Sequence, residues 1–280
     1  MAKITTIRIL IALTAKFGWK LQQFDVDNVF LHRDLEEDVF MEIPPSFQHK
    51  GDGKNQVYKL KKFLYGLKQS PPALFGRFSA MLSIRYHQSW GDHTLFIKHQ
   101  GEKATTLLVY VDDIVVTGND IVEQGCLKHN LAWEFEIKDL GQLRYFLGIE
   151  VAHSKEGIFL SQRQYVLDLL DETSLLGEKR GRILVDPNTK LQANKGGQEL
   201  DNGRLQRLVG RLIYLAHTRP NISFDVNLVS QFMHDPNEKH MATIRKILYY
   251  LKATPGKGIL CTPGTDLRLQ GYTDVDYGVL

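Results

Sequence analysis

The chain has 280 residues, of which 43% are hydrophobic and 24% are charged, and its formal net charge is +3. This length and composition allow a sizeable buried core, arranged in one or two domains. The small net charge says little about partners, so nucleic-acid binding has to come from local basic patches. Cys126 and Cys261 are too few for a disulfide framework or a zinc site, which favours a reducing, intracellular compartment. No run approaches the roughly 20 apolar residues of a membrane-spanning helix, so we predict no membrane partner.

Hydrophobic periodicity and turn residues predict alternating helices and strands in the first 176 residues. In chain order these are a helix over 5–17, strands up to 26, over 38–43 and over 57–60, a helix over 70–86, strands over 94–98, 106–110 and 114–118, a helix over 120–133, a hairpin of 144–152 with 158–160, and a helix over 162–170. Pro71 directly after Ser70 is a typical helix start. This order predicts an α+β fold, an antiparallel sheet with helices on one face.

The second part of the chain is predominantly helical. Residues 177–203 are polar and rich in Gly, Asn and Lys, which is typical of a linker. The predicted elements that follow are helices over 204–217, 222–232 and 238–253 and strands over 258–261 and 267–272. We therefore divide the chain into residues 1–176, the linker 177–203, a helical unit 204–256 and a last segment 257–280.

Two adjacent acids, Asp112 and Asp113, follow Tyr110-Val111 between two apolar strand segments. Adjacent carboxylates in such a setting are costly unless a cation compensates them. Asp25 ends another short strand, and three carboxylates on neighbouring strands could hold two divalent ions about 4 Å apart for an in-line phosphoryl transfer. The alternative is an ordinary polar hairpin turn. Against it, the Asn-Gly or Asp-Gly pair that is typical of tight hairpins is absent.

The segment Tyr110-Val111-Asp112-Asp113 resembles the catalytic hairpin of reverse transcriptases. Its surroundings resemble the copia-type class of long-terminal-repeat retrotransposons of plants, in the RNA-directed DNA polymerase region of the pol polyprotein. Further segments that match the family in the same order are 23–26, 28–32, 34–45, 57–71, 138–151, 154–170, 206–220 and 249–260. Many ordered segments over nearly the whole chain make the resemblance specific.

The resemblance implies the right-hand polymerase architecture. Residues 1–176 would be partial fingers and the palm, 204–256 a helical thumb or connection, and 257–280 the start of a ribonuclease H domain. Within that last segment, Asp274 matches the first metal-binding aspartate of ribonuclease H. The other acids of that site are absent from the sequence, so we expect no ribonuclease H activity. The implied reaction is template-directed nucleotidyl transfer on an RNA or DNA template-primer, with deoxynucleoside triphosphates as substrates and two Mg²⁺ ions as cofactor.

By the same resemblance, Asp25, Asp112 and Asp113 are the expected catalytic residues and metal ligands, with the backbone carbonyl of Val26 as a further ligand. Residues expected to contact the nucleotide or template are Phe30, Tyr65, Gly66, Lys68 and Tyr110. For Phe30 the alternative is a core phenylalanine. For Lys68 it is a solvated surface position.

Two further segments would hold the template-primer. Phe146-Leu147-Gly148 resembles the primer-grip hairpin, although a plain hydrophobic strand fits its composition equally well. Arg204, Arg207 and Arg211 share one helical face, which suits a thumb helix along the duplex phosphates. The alternative is a solvated basic face. By resemblance, Lys138 is also a candidate proton donor to the leaving pyrophosphate.

The chain departs from the family pattern in ways that lead us to expect a truncated copy with impaired activity. The resemblance begins at about Thr6, whereas family members carry an upstream basic fingers segment. Asp27 stands where a lysine is usual and adds negative charge beside the acids. Two other functions stay open: a non-catalytic nucleic-acid-binding remnant of the element, and a metal-dependent nuclease that uses the same acids.

Overall fold

Antiparallel sheets and α-helices build the chain in the computed structural model, which describes residues 3–27, 38–43, 57–62, 70–175 and 201–264. The helices are α1 (Ile4–Phe17), α2 (Ser70–Leu82), α3 (Ile121–Glu134), α4 (Arg163–Glu172), α5 (Asn202–Ala216), α6 (Ser223–Ser230) and α7 (Glu238–Ala253). The strands are β1 (Lys20–Val26), β2 (Phe40–Glu42), β3 (Val57–Lys59), β4 (His87–Gln88), β5 (Leu95–Gln100), β6 (Lys103–Tyr110), β7 (Asp113–Gly118), β8 (Ile137–Gln142), β9 (Tyr145–Phe146), β10 (Ile149–Ser154), β11 (Gly157–Ser161) and β12 (Gly258–Cys261).

The largest sheet has six strands in the order β4-β5-β6-β7-β1-β8. Its paired strands are antiparallel, and β1 lies between β7 and β8. The mixed α and β architecture with antiparallel sheets confirms that part of the predicted fold class. Strand β8 is missing from the predicted elements, because Lys138, Asp139 and Gly141 interrupt the apolar alternation that signals a strand.

Both faces of this sheet are buried. Helices α2 and α3 cover one face and pack on Phe24, Val109 and Ile114. Helix α1 and the strands β9 to β11 cover the other face, where Leu108 and Val115 lie. The expectation of helices on one face is therefore incomplete, since α1 occupies the second face. The near-continuous apolar runs in β6 and β7 explain this. Strands that are apolar on both sides are stable only where other elements pack on both faces of the sheet.

A second sheet has four strands in the order β12-β11-β10-β9. Strands β9 and β10 form a tight hairpin in which Phe146 pairs with Ile149. Between them Leu147 and Gly148 both have positive φ, 49° and 73°, as a type I′ turn requires. Strand β12 follows the helices α5 to α7 in the chain and pairs with β11.

The helices α4 to α7 share a separate apolar core, in which Leu212, Val226 and Leu248 are buried. The three helices predicted between 204 and 253 are confirmed, with ends that differ by a few residues. Helix α5 begins at Asn202 because the Asp201 side chain accepts a hydrogen bond from the backbone N–H of Arg204 and caps the helix. In the described part of the chain, no helix is long and apolar enough to span a membrane.

Candidate active site

The acidic pair lies at a tight two-residue turn between β6 and β7. Tyr110 pairs with Asp113 across the hairpin, and Val111 and Asp112 form its tip. Val111 has a φ of 53°, a conformation that is strongly unfavourable for a β-branched residue and is normally taken by glycine. The hairpin is therefore tight although it lacks the usual Asn-Gly or Asp-Gly pair. Backbone strain of this kind is concentrated at functional sites.

A single row of residues crosses four strands at this end of the sheet. Lys138 on β8 is paired with Asp25 on β1, Asp25 with Asp113 on β7, and Asp113 with Tyr110 on β6. Directly paired residues project from the same face of a sheet, so these four side chains share one face. The backbone N–H of Val26 donates to the carbonyl oxygen of Asp112 at 2.9 Å, which ties the turn to the end of β1. The register thus brings the three predicted catalytic acids together.

Negative charge at this row is only partly compensated. The pKa of Asp25 is raised, first by burial and then by the charges of Asp112 and Asp27, while the charge of Lys138 lowers it. The pKa of Asp113 is also raised, first by burial and further by the charges of Asp112 and Asp25. The row therefore carries carboxylates that resist ionisation and that a cation would stabilise.

Gln23 supplies the hydrogen bond that moderates this effect at Asp113. Its side-chain amide donates to Oδ1 of Asp113 at 2.8 Å and lowers the pKa of that carboxyl group. Among the residues that the structure describes, no group of three or more His, Cys, Asp and Glu side chains is placed to hold a metal ion. The acids consequently form a row without a preformed metal cage.

The predicted primer-grip segment packs beside the β6–β7 hairpin that carries the acidic pair. The rings of Tyr110 and Phe146 meet edge to face, with centroids 6.1 Å apart. The Leu147-Gly148 turn lies next to helix α5, where the Tyr214 hydroxyl donates a hydrogen bond to the carbonyl oxygen of Leu147. Phe146 itself is buried in the core under α1. The structure therefore connects the β6–β7 hairpin, the β9–β10 turn and α5 by direct contacts.

A largely apolar cavity of about 440 Å³ adjoins the other side of the turn. The residues that line it are Pro72, Phe75, His93, Thr94, Val109, Tyr110 and Val111. Val109, Tyr110 and Val111 are therefore the part of the β6–β7 hairpin that lines this cavity.

Comparison with known proteins decides the family. Residues 1–184 match the family model described as reverse transcriptase (RNA-dependent DNA polymerase). The chain belongs to the reverse transcriptase family. It is 42% identical over 276 residues to the retrovirus-related Pol polyprotein from transposon RE1 of Arabidopsis thaliana, an alignment that covers 98% of this chain and 19% of that protein.

Two further relatives agree with this assignment. Over 279 residues the chain is 39% identical to the Pol polyprotein from transposon RE2 of Arabidopsis thaliana, with 98% of this chain and 19% of that protein covered. Over 287 residues it is 34% identical to the Pol polyprotein from transposon TNT 1-94 of Nicotiana tabacum, with 99% and 22% covered. The chain thus spans about a fifth of the length of these relatives. The sequence identity with all three confirms the resemblance to the Pol polyproteins of copia-type plant retrotransposons. No solved structure matches it.

The arginines predicted to contact nucleic acid are not equivalent in this reverse transcriptase fold. Arg204 and Arg207 are exposed on α5. Arg211 forms an ion pair with Glu172 of α4, and its guanidinium lies 5.1 Å from the ring centroid of Tyr165. Arg211 is therefore held by intramolecular contacts, whereas the other two project into solvent.

Several predicted site residues of the family fall outside the described part of the chain. These are Phe30, Tyr65, Gly66, Lys68 and Asp274. Two contacts of the site were not predicted, those of Gln23 and Tyr214. A glutamine in a strand and a tyrosine in an apolar helix stripe carry no local signal of such a role, because both contacts depend on the tertiary structure.

Proposed function

We propose that this chain forms the palm and thumb of an RNA-directed DNA polymerase, which carries out template-directed nucleotidyl transfer with Mg²⁺. The palm would consist of the six-stranded sheet with α1 to α3, and the thumb of α5 to α7. The observation that carries the proposal is the pairing of Asp25 with Asp113 beside the strained turn that holds Asp112. Because the chain covers about a fifth of its relatives, their wider activities are not attributed to it.

The donor set of the row suits a hard cation. Carboxylate oxygens are the ligands that Mg²⁺ prefers, and this ion is commonly bound through one or two carboxylates together with substrate phosphates and water. A row without a preformed cage fits that mode, with Asp25, Asp112 and Asp113 as the protein ligands and the Val26 carbonyl as a further one. Two bound Mg²⁺ ions would lower the pKa of the primer 3′-hydroxyl and neutralise charge on the leaving pyrophosphate.

The remaining residues would bind and orient the substrates. The β9–β10 turn with Phe146, Leu147 and Gly148 would hold the primer end beside Tyr110, a role supported by the ring contact between Phe146 and Tyr110. The family pattern adds Phe30, Tyr65, Gly66 and Lys68 as contacts to the deoxynucleoside triphosphate and template. The exposed Arg204 and Arg207 would contact duplex phosphates, whereas Arg211 would support the helix that presents them.

The test is primer extension on poly(rA)·oligo(dT) with the purified 280-residue chain. We expect weak Mg²⁺-dependent incorporation, in line with the departures from the family pattern, and a further fall of at least about 100-fold in Asp112→Asn and in Asp25→Asn, because each change replaces a charged metal ligand. Glu156→Gln, an exposed acid in the β10–β11 turn, is the matched control and should leave incorporation unchanged. Incorporation that survives Asp112→Asn would contradict the proposal.

A non-catalytic nucleic-acid-binding remnant is the second candidate. The observation that favours it is the exposed pair Arg204 and Arg207, which does not depend on the acidic row. Asp27, whose charge adds to the repulsion at Asp25, also favours it. Salt-dependent duplex binding that is unchanged in Asp112→Asn, together with no incorporation by the unmodified chain, would establish this function instead.

A further inference from the structure

Gln23 is a polar residue in an apolar part of the core. It lies on β1 opposite Val115, which in turn pairs with Leu108, and both of these neighbours are fully buried. Gln23 is itself only 8% exposed. Burying a side-chain amide among apolar groups costs free energy unless the amide is hydrogen-bonded. A hydrogen-bond partner is therefore expected for the side-chain amide of Gln23.

That partner is a carboxylate of the acidic row. The amide nitrogen of Gln23 lies 2.8 Å from Oδ1 of Asp113. The two residues are diagonal neighbours across the β1–β7 pair, because Asp25 and not Gln23 is directly opposite Asp113. Diagonal neighbours on one face are within reach of a long side chain. The contact thus takes one oxygen of Asp113 and leaves its other oxygen, Oδ2, for other interactions.

The backbone of the neighbouring strand is irregular at the same position. The register of β1 with β8 shifts between Gln23 and Phe24, so that Leu140 is an extra residue on β8. Gly141, which is paired with Gln23, has a φ of 75°. β-bulges of this kind redirect a side chain and are frequent next to active sites. The irregularity coincides with the residue that binds Asp113.

We propose that Gln23 is a positioning residue that orients the Asp113 carboxylate of the acidic row for a divalent metal ion. It rests on the proposed function, since it assigns a role within the same site. Gln23 holds Oδ1 and so fixes the orientation of the carboxyl group, and Oδ2 is the oxygen left for the ion. Residues that hydrogen-bond a metal ligand in this way fix its orientation, and their loss typically costs tenfold to 100-fold in metal affinity or activity.

The strand supplies a matched control in the adjacent glutamine. Gln22 projects from the opposite face of β1, opposite Val116, on the side covered by α2 and α3. Gln22→Met and Gln23→Met make the same chemical change one residue apart in the same strand. Only the second removes the contact with Asp113. Gln23→Asn, which keeps the amide but shortens its reach, is a second variant for use if Gln23→Met does not fold.

The experiment measures Mn²⁺ binding by electron paramagnetic resonance of the free ion, together with primer extension and thermal unfolding of each variant. We expect Gln23→Met to weaken Mn²⁺ binding about tenfold and to lower kcat with KM for the nucleotide within about twofold, since the substituted residue does not contact the nucleotide. Gln22→Met should match the unmodified chain. In an Asp113→Asn background, Gln23→Met should have no further effect on Mn²⁺ affinity, because the group it orients is already altered.

Two results would overturn the inference. One is a folded Gln23→Met or Gln23→Asn variant that binds Mn²⁺ as the unmodified chain does. The other is an equal loss of affinity in the Asp113→Asn background, which would mean that Gln23 acts through the fold and not through Asp113. If the unmodified chain neither binds Mn²⁺ nor incorporates nucleotide, the proposed function and this inference fail together. If it incorporates nucleotide and Gln23→Met leaves kcat unchanged, only this inference fails. If it binds Mn²⁺ and responds as expected but incorporates no nucleotide, the polymerase proposal fails and the role of Gln23 is supported.

Discussion

The hydroxyl of Tyr214 donates a hydrogen bond to the backbone carbonyl of Leu147, which joins helix α5 to the turn between β9 and β10. Phe146, the neighbour of Leu147, contacts the ring of Tyr110 in the β6–β7 hairpin. On its other side, Tyr214 packs on Tyr165 with ring centroids 5.4 Å apart. Two contacts, the Tyr214–Leu147 hydrogen bond and the Phe146–Tyr110 ring contact, therefore link α5 to the proposed position of the primer end.

Tyr214→Phe removes this hydrogen bond and keeps the ring. We expect a loss of about 1 kcal/mol in the free energy of unfolding, the usual net contribution of such a bond, and a several-fold lower rate of extension from a bound primer. Urea unfolding and single-turnover primer extension measure the two effects. Burial and the neighbouring tyrosines raise the pKa of Tyr214 to about 12, so the hydroxyl remains a donor at neutral pH. Tyr165→Phe, which removes the hydroxyl from the adjacent ring, is the control and should leave extension unchanged.

Substitutions of Val111 allow the backbone strain in the β6–β7 turn to be measured. Val111→Ala and Val111→Gly both remove the side chain from the cavity, but only the second removes the Cβ that disfavours a φ of 53°. We expect the glycine variant to be more stable than the alanine variant by about 1 kcal/mol. Chemical denaturation of both proteins gives the difference. Equal stabilities, or a more stable alanine variant, would mean that the turn relaxes and stores no strain.

The acidic row predicts how stability depends on pH and on metal. The pKa of Asp25 and of Asp113 is raised, first by burial, so both acids bind protons more tightly in the folded than in the unfolded chain. Their contribution to stability is therefore fully present below the unfolded value near 3.8 and is lost as the pH rises through the raised values. At pH 7, without metal, the burial and mutual repulsion of these carboxylates therefore destabilise the folded chain more than they do in acid.

Asp25→Asn should therefore raise the melting temperature at pH 7 in the presence of a chelator, and this gain should vanish in acid. Mg²⁺ should raise the melting temperature of the unmodified chain at pH 7 and have little effect on the variant. Differential scanning calorimetry at pH 7 and in acid, with a chelator and with Mg²⁺, measures the melting temperatures of the variant and of the unmodified chain. If the variant is less stable than the unmodified chain at pH 7 without metal, the negative charge of Asp25 is already compensated in the folded protein and this prediction is wrong.

The arginines of α5 predict two different kinds of effect. Replacing both Arg204 and Arg207 by alanine should reduce the slope of log affinity against log salt for duplex binding by about 2, because each exposed arginine neutralises one phosphate. Filter binding over a range of salt concentrations gives the slope. Lys246→Ala, on the exposed side of α7, is the control and should leave the slope unchanged.

Arg211→Ala should instead lower the free energy of unfolding by about 1 kcal/mol, since it removes the ion pair with Glu172 and the contact with the Tyr165 ring. Its effect on the salt slope should be small. A large change in the slope without a loss of stability would assign Arg211 to nucleic-acid binding.

Local patterns account for much of the fold. The apolar stripes of α5 and α7 and the apolar runs of β6 and β7 predict elements that the structure contains. Strand β8 escapes prediction because its membership depends on pairing with β1, not on its own composition. The second cover of the six-stranded sheet also depends on how distant parts of the chain meet, and the sequence signals it only through the unbroken apolar runs in the strands.

The site follows the same division. The types of its residues are readable from the sequence, since Asp25 ends a strand and Asp112 and Asp113 stand at a turn. Their register is not, because a shift of β1 by one residue would turn Asp25 to the opposite face. The contacts of Gln23 and Tyr214 lie between elements far apart in the chain, 90 residues in the first case and 67 in the second. Periodicity within an element carries no information on such pairs.

The pairing of β12 with β11 gives the chain an unusual exit route. The helices α4 to α7 are inserted between two adjacent strands of one sheet, so the polypeptide leaves the bundle and returns to the layer that packs on the six-stranded sheet. Ser161, which precedes the first helix of the bundle, is paired directly with Gly258 at the start of β12. The bundle is therefore anchored at both of its ends to one point of the second sheet, which packs against the six-stranded sheet that carries Asp25 and Asp113.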